Sequence, residues 1–128
     1  MSKHKCRIVC QGFLQVRGRD FDETFAPTPR PATIKMLLAH ATLHNRHLYT
    51  LDIKAAYLNA EVDSRFQGKI YIKFPAGVYG ESPRLARLEG NLYGLRQGGN
   101  RWWLENKATL VNKLGMTVSP SEPCLYLL

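Results

Sequence analysis

The sequence predicts an α+β fold, and three observations carry that prediction. Apolar residues recur at helical spacing in two stretches, 31–47 and 98–114. Short runs with strand character stand at "KCRIVCQGFL", "LYTLDI", "KIYIKF", "LARLEG" and "CLYLL". Connections dense in Pro and Gly separate several of them. At 128 residues, 45% hydrophobic and 22% charged, the chain suits one modest domain with a real core rather than a disordered segment.

Each element has its own signal. Residues 5–14 alternate as a strand, with Lys5 and Arg7 on one face and the Gly12 region marking its turn. "RGRDFDETFAPTPRP" holds three prolines among charges and isolated aromatics, which predicts a long extended connection pinned by Phe21 and Phe25. A helix follows from Pro31, which suits a first turn, with Ile34, Leu37, Leu38 and Ala41 as its apolar stripe. "KIYIKF" and "LARLEG" read as two strands separated by "PAGVYGESP". The second helix carries Trp103, Lys107, Leu110 and Leu114 on one stripe, with Gly115 as its stop and the indoles as core. "CLYLL" is a last apolar strand, and its lack of a polar tail leads us to expect a longer fold.

The strand pattern at 48–53 contains one acid. Leu48, Thr50 and Asp52 share one face and Tyr49, Leu51 and Ile53 the other, so Asp52 points away from an apolar face near the strand's end. That position suits a site carboxylate, and it equally suits a carboxylate capping a following helix or turn.

Charge and cysteines bound the partners. A net charge of +8 with a pI of about 9.7 attracts polyanions, whether nucleic acid or an anionic surface. No apolar stretch reaches bilayer length and "MSKHKCRIVCQGF" lacks a secretory core, so an intracellular, cytoplasmic protein is expected. Cys6, Cys10 and Cys124 are an odd set of thiols, expected to be free. His4, Cys6 and Cys10 could suggest zinc, but no second ligand pair follows at finger spacing, and small side chains on a strand are the plainer reading.

The segments "KCRIVCQGF", "DETFAPTPRPATIKMLLA", "LDIKAAYLNAEVD", "IYIKFPAGV", "RLEGNLYGLRQGGNRWW" and "LGMTVSPSEPCLYL" stand in the order of one known family. The chain resembles, over nearly its whole length, the reverse transcriptase domain of copia-type retrotransposon polyproteins. The most specific pieces are "LDIKAAYLN" and "LYGLRQ" followed by Trp, since each couples a site residue to a distinctive neighbourhood.

The resemblance implies a partial polymerase right-hand fold, the fingers and the N-terminal part of the palm, as one incomplete domain over 1–128. It implies that Asp52 is a catalytic metal ligand. Attack of a primer hydroxyl on a nucleotide α-phosphorus uses two divalent ions about 3.5–4 Å apart, and hard Mg²⁺ takes oxygen ligands. Tyr57, five residues on, matches the bulky side chain that closes the pocket beneath the sugar and admits deoxyribose. Ala55 and Ala56 are small enough for backbone N–H groups to approach a triphosphate, although Ala is also a plain space filler. Gln97 is the implied polar contact to nucleotide or template, and Gly98 the close backbone approach. Lys5 and Arg7 resemble the basic fingers strand that meets the triphosphate, with a solvated strand as the alternative. Arg96 and Arg101 are candidates for phosphates of a template–primer duplex.

Departures accompany the matches. "EVDSRFQGKIYIKFP" is a few residues longer than the family's usual link, and the chain contains no Asp-Asp dipeptide, which the family carries on a hairpin shortly after the match to "CLYLL". The expectation is a chain cut before that hairpin, unable to polymerise alone and completed by the rest of a polyprotein: remaining palm, thumb and RNase H. Template–primer and deoxynucleoside triphosphate are the implied partners, and a virus-like particle or the nucleus the implied alternative sites. A non-catalytic basic nucleic-acid-binding module and a decayed transposon remnant are the competing readings.

Overall fold

Pro31, with no N–H to lose and its φ already helical, opens helix α1 over Pro31–Leu43. Asn45, at a φ of 48°, ends it. Its N–H reaches the Thr42 carbonyl at 3.3 Å and the Arg46 N–H reaches Ala41 at 2.8 Å, a Schellman close built on an Asn that tolerates the left-handed region. Helix α2 spans Gly98–Ala108 and runs into a π turn at Thr109–Lys113. Gly115, at a φ of 67°, stops it as the sequence predicts.

The computed structural model describes residues 7–75, 77, 78, 80, 82 and 84–128. Strands β1 (Tyr71–Lys73) and β2 (Leu85–Arg87) pair antiparallel across the Pro/Gly loop, with Ile72 opposite Ala86. Strands β3 (Thr117–Ser119) and β4 (Glu122–Leu127) form a second antiparallel pair, with Val118 opposite Tyr126 and a register shift between Val118 and Ser119. Single 3₁₀ turns stand at Gly12–Leu14 and Ala56–Asn59. This mixture of helices and antiparallel strands agrees with the α+β class. Among the described residues no helix is long and apolar enough to cross a membrane.

The chain divides into two compact units, Met1–Phe25 with Ala55–Trp102, and Ala26–Lys54 with Trp103–Leu128. In the first, Val62, Phe66, Ile70, Leu88 and Leu95 form the buried cluster, with Cys10, Ile72 and Leu92 packed against it. The Leu88 N–H to Ile70 carbonyl bond at 2.9 Å carries the β1–β2 ladder into that cluster. In the second unit, Lys107 Nζ stands 5.4 Å from the Trp103 ring centroid and that indole is half-buried; Trp102, which belongs to the first unit, is half-buried as well.

Four expectations are corrected. Residues 7–11 form no strand and 12–14 are a 3₁₀ turn. The Cys10 N–H bonds the Tyr93 carbonyl at 2.7 Å, an isolated bond with no ladder beside it among the described residues. The 48–53 segment is not a strand either, and Leu51 is 96% exposed. Alternation selects a face, but a strand also needs a paired edge, and no described segment supplies one. Phe21 is buried and does pin the 17–31 connection, whereas Phe25 is exposed, and its carbonyl accepts Asn100 Nδ2 at 2.7 Å. The α1 stripe buries Ala41 alone, leaving Ile34, Leu37 and Leu38 exposed.

Candidate functional site

Gly12 and Gly94 bring two distant segments of the first unit into contact. A Cβ on Gly12 would collide with the Gly94 carbonyl, and one on Gly94 with the Cys10 carbonyl. Gly94 also holds a φ of 89°, in the left-handed region. The backbone around Cys10 therefore lies directly on the loop "LYGLRQ", and the side chains of both segments meet.

On one side of this contact one guanidinium and two rings stack. The Arg7 guanidinium lies over the Tyr93 ring, 5.2 Å from its centroid. Tyr93 meets Tyr57 edge to face, with centroids 6.0 Å apart at 87°. Tyr57 remains 41% exposed, so its ring has a free surface. It sits in the 3₁₀ turn Ala56–Asn59, whose cap residue Ala55 adopts a φ of 54°, a strained setting for a residue with a Cβ. Ala55 is exposed and Ala56 half-buried.

On the other side Gln97 is only 3% exposed. Its Oε1 accepts Gln15 Nε2 at 3.1 Å, and Gln15 Oε1 in turn accepts the Arg96 backbone N–H at 2.8 Å. Gln97 Nε2 is buried without a partner among the described residues. Gly98 is buried behind it and opens α2, its N–H bonded to the Leu95 carbonyl at 3.2 Å. A Cβ on Gly98 would meet nothing closer than 4.0 Å, so the fold itself does not demand glycine there.

Arg96 and Arg101 are engaged by the fold. Arg96 Nε donates to the Gly12 carbonyl at 2.9 Å and its guanidinium lies 5.7 Å from the Phe21 ring centroid. It forms one wall of an open cavity of about 510 Å³ whose other walls include Arg17, Phe21 and Phe25. Arg101 Nε donates to the Glu61 carbonyl at 3.3 Å and its head stands 3.9 Å from the Asp63 carboxylate. Arg65, bonded to that carboxylate, holds the Asp63 carboxyl well below the usual range, at about 2. Burial pushes the Cys10 thiol up, and Cys10 and Cys124 are free.

Of the residues singled out in the sequence, Arg7, Ala55, Ala56, Tyr57, Gln97 and Gly98 fall in one unit, and Asp52 belongs to the other. Asp52 is exposed and makes no hydrogen bond or ion pair with a described residue. It is not a cap: the 3₁₀ turn that follows has Ala55 at its start and no side-chain cap. Lys5, and with it His4 and Cys6, lies outside the described residues. Sequence reasoning missed Tyr93 and Gln15. Tyr93 stands inside "LYGLRQ", where its ring could have been weighed, while Gln15 carries no local signal.

Reverse transcriptases use divalent metal ions. The described residues hold no group of three or more His, Cys, Asp or Glu that could bind one, and Asp52 offers a single carboxylate where Mg²⁺ takes an octahedron of oxygens. These residues alone do not fit a complete Mg²⁺ site.

The sequence matches the family described as "Reverse transcriptase (RNA-dependent DNA polymerase)" over residues 1–127. It is 30% identical over 126 residues to the "Retrovirus-related Pol polyprotein from transposon TNT 1-94" of Nicotiana tabacum, covering 97% of this chain and 9% of that polyprotein. It is 27% identical over 130 residues to the corresponding polyprotein from transposon RE2 of Arabidopsis thaliana, covering 100% of this chain and 9% of the relative. With the "Transposon Ty1-BL Gag-Pol polyprotein" of Saccharomyces cerevisiae it shares 30% identity over 123 residues, 96% of this chain and 7% of the relative. No solved structure matches significantly. The chain belongs to the reverse transcriptase family, in the branch carried by copia-type retrotransposon Pol polyproteins, and spans less than a tenth of the relatives' length.

Proposed function

We propose that this chain forms the nucleotide- and template-facing part of an RNA-directed DNA polymerase, the fingers and the first portion of the palm in a right-hand fold. The observation that carries this reading is the gathering of Arg7, Tyr57 and Gln97 around Tyr93 and Gln15 within one unit. Arg7 offers fixed positive charge to a triphosphate. The exposed Tyr57 ring closes the space beneath the sugar, against a ribose hydroxyl. Ala55 and Ala56 let backbone N–H groups approach the phosphates, and Gln97 and Gly98 line the base and template side. Asp52 contributes one carboxylate to a divalent ion whose other ligands these residues do not supply. The rest of the palm, the thumb and RNase H would come from the polyprotein, so this chain alone extends no primer.

The test is binding of a fluorescent RNA-template/DNA-primer duplex at rising salt. Affinity that falls steeply is expected, since a surface of net charge +8 meets phosphates and releases counterions. Affinity indifferent to salt contradicts it. The same +8 favours a second reading, a nucleic-acid-binding module without catalysis. A matched deoxynucleoside triphosphate tightens the duplex complex in the first reading and leaves it unchanged in the second.

A further inference from the structure

The Gln15–Gln97 pair has a polarity that the backbone fixes. An amide side chain presents oxygen and nitrogen in nearly the same shape, so only a neighbour of unambiguous character decides which end faces where. The Arg96 backbone N–H can only donate, so the Gln15 atom it meets at 2.8 Å is the oxygen. Gln15 then presents its NH₂ to Gln97, 3.1 Å away, and the Gln97 atom receiving it is the oxygen. The relay ends on Gln97 Nε2, a donor group buried and unpartnered among the described residues.

We propose that Gln15 is a positioning residue that sets the Gln97 amide to donate, so that this point of the site recognises a hydrogen-bond acceptor on a nucleotide: a base carbonyl or ring nitrogen, or a sugar oxygen. This rests on the polymerase reading of the site and adds to it the sign of the contact and the residue that determines it. Buried donors are rarely left unmatched, and the structure spends two side-chain amides and a backbone N–H in orienting this one. Arg96, through its backbone N–H, is the origin of the relay, so the dipeptide Arg96-Gln97 and the distant Gln15 form one hydrogen-bonded chain.

Substituting Gln15→Glu tests the relay because a carboxylate still accepts the Arg96 N–H but cannot donate to Gln97. The Gln97 amide must then turn, giving its NH₂ to the new carboxylate and its oxygen to the ligand. The readout is the side-chain NH₂ resonance of Gln97 in the ¹⁵N-labelled full chain at pH 7, assigned by its loss in Gln97→Met. It is followed with a template–primer duplex and, separately, with a deoxynucleoside triphosphate, so that the two sources of an acceptor are distinguished. In the unsubstituted chain the resonance should move downfield on saturation with one of them. In Gln15→Glu it should already be downfield without ligand, move no further, and that ligand should bind roughly three- to tenfold more weakly at an unchanged melting temperature. Should Gln15→Glu fail to fold, the titration of the unsubstituted chain decides alone. Binding that leaves the Gln97 resonance in place means the donor is satisfied by water and overturns the proposal. An unchanged Gln97 resonance in folded, ligand-free Gln15→Glu overturns the relay itself. If neither ligand binds, the polymerase reading fails and the ligand assignment with it, while the ligand-free comparison still decides whether Gln15 orients Gln97.

Discussion

Glu122, at the start of β4, caps helix α1 from 92 residues away: its Oε2 accepts the Arg30 backbone N–H at 3.1 Å. The same oxygen accepts the Thr33 hydroxyl at 3.1 Å, and Oε1 accepts the Cys124 N–H at 3.2 Å. Arg30 is the cap residue of α1 and has no capping side chain, so a buried carboxylate from the β3–β4 pair satisfies the helix start instead. These bonds, the Arg30 N–H first, hold the Glu122 carboxyl below its ordinary value of 4.5. Its contribution is therefore complete above 4.5 and is lost as pH falls through the lowered folded value. Glu122→Gln should lower the melting temperature at neutral pH, Glu122→Ala more, and the difference from the unsubstituted chain should shrink in acid.

Asp63 should behave as a second, separate acid sensor. Its carboxyl, held at about 2 by Arg65, favours the fold above the ordinary value of 3.8 and ceases to do so as pH drops through about 2. A carboxyl ¹³C titration should return that low value, and Asp63→Asn should flatten the slope of stability against pH between 3.8 and 2.

Gly94→Ala should be among the most damaging single changes in the first unit. The substitution combines a disfavoured φ of 89° with a collision against the Cys10 carbonyl, which is backbone and cannot rotate away. A loss of about 3 kcal/mol is expected in denaturant midpoint measurements. Gly68→Ala shares a positive φ, 73°, but meets nothing within 4 Å, so it should cost about 1 kcal/mol.

Particular elements show what the sequence could disclose. α1, α2 and the β1–β2 pair were legible because each combines a local period with its own punctuation: Pro31, Gly115 and the Pro/Gly loop. The 48–53 segment was not, since alternation specifies which side chains share a face but says nothing of whether an edge is available to pair. The Glu122 cap escaped for a different reason, because its two ends are far apart in the chain and Arg30 looks like no cap at all. Within the site, motif resemblance singled out Arg7, Tyr57 and Gln97. Arg7 and Tyr57 meet on Tyr93, and Gln97 meets Gln15, two separate sets of contacts flanking the backbone approach between Gly12 and Gly94.

Tyr57 and Tyr93 should separate in function. Tyr57→Ala opens the space beneath the sugar and should raise ribonucleotide use relative to deoxyribonucleotide use in a polymerase assembled with this chain, with some activity surviving. Tyr93→Leu removes the edge-to-face support and the Arg7 platform, so it should weaken triphosphate binding while relaxing sugar choice less.

The central claim, that Asp52 serves metal-dependent polymerisation, is tested most directly by primer extension. The matching segment of the tobacco relative's polyprotein is replaced by this chain, and extension of an RNA-templated DNA primer is measured with Mg²⁺. The exposed Asp52 carboxylate caps no turn and makes no hydrogen bond among the described residues, so Asp52→Asn should leave the melting temperature unchanged while extension falls by orders of magnitude. Near-normal extension by Asp52→Asn, a loss that merely follows loss of folded protein, or a folded but inactive unsubstituted graft would contradict the account.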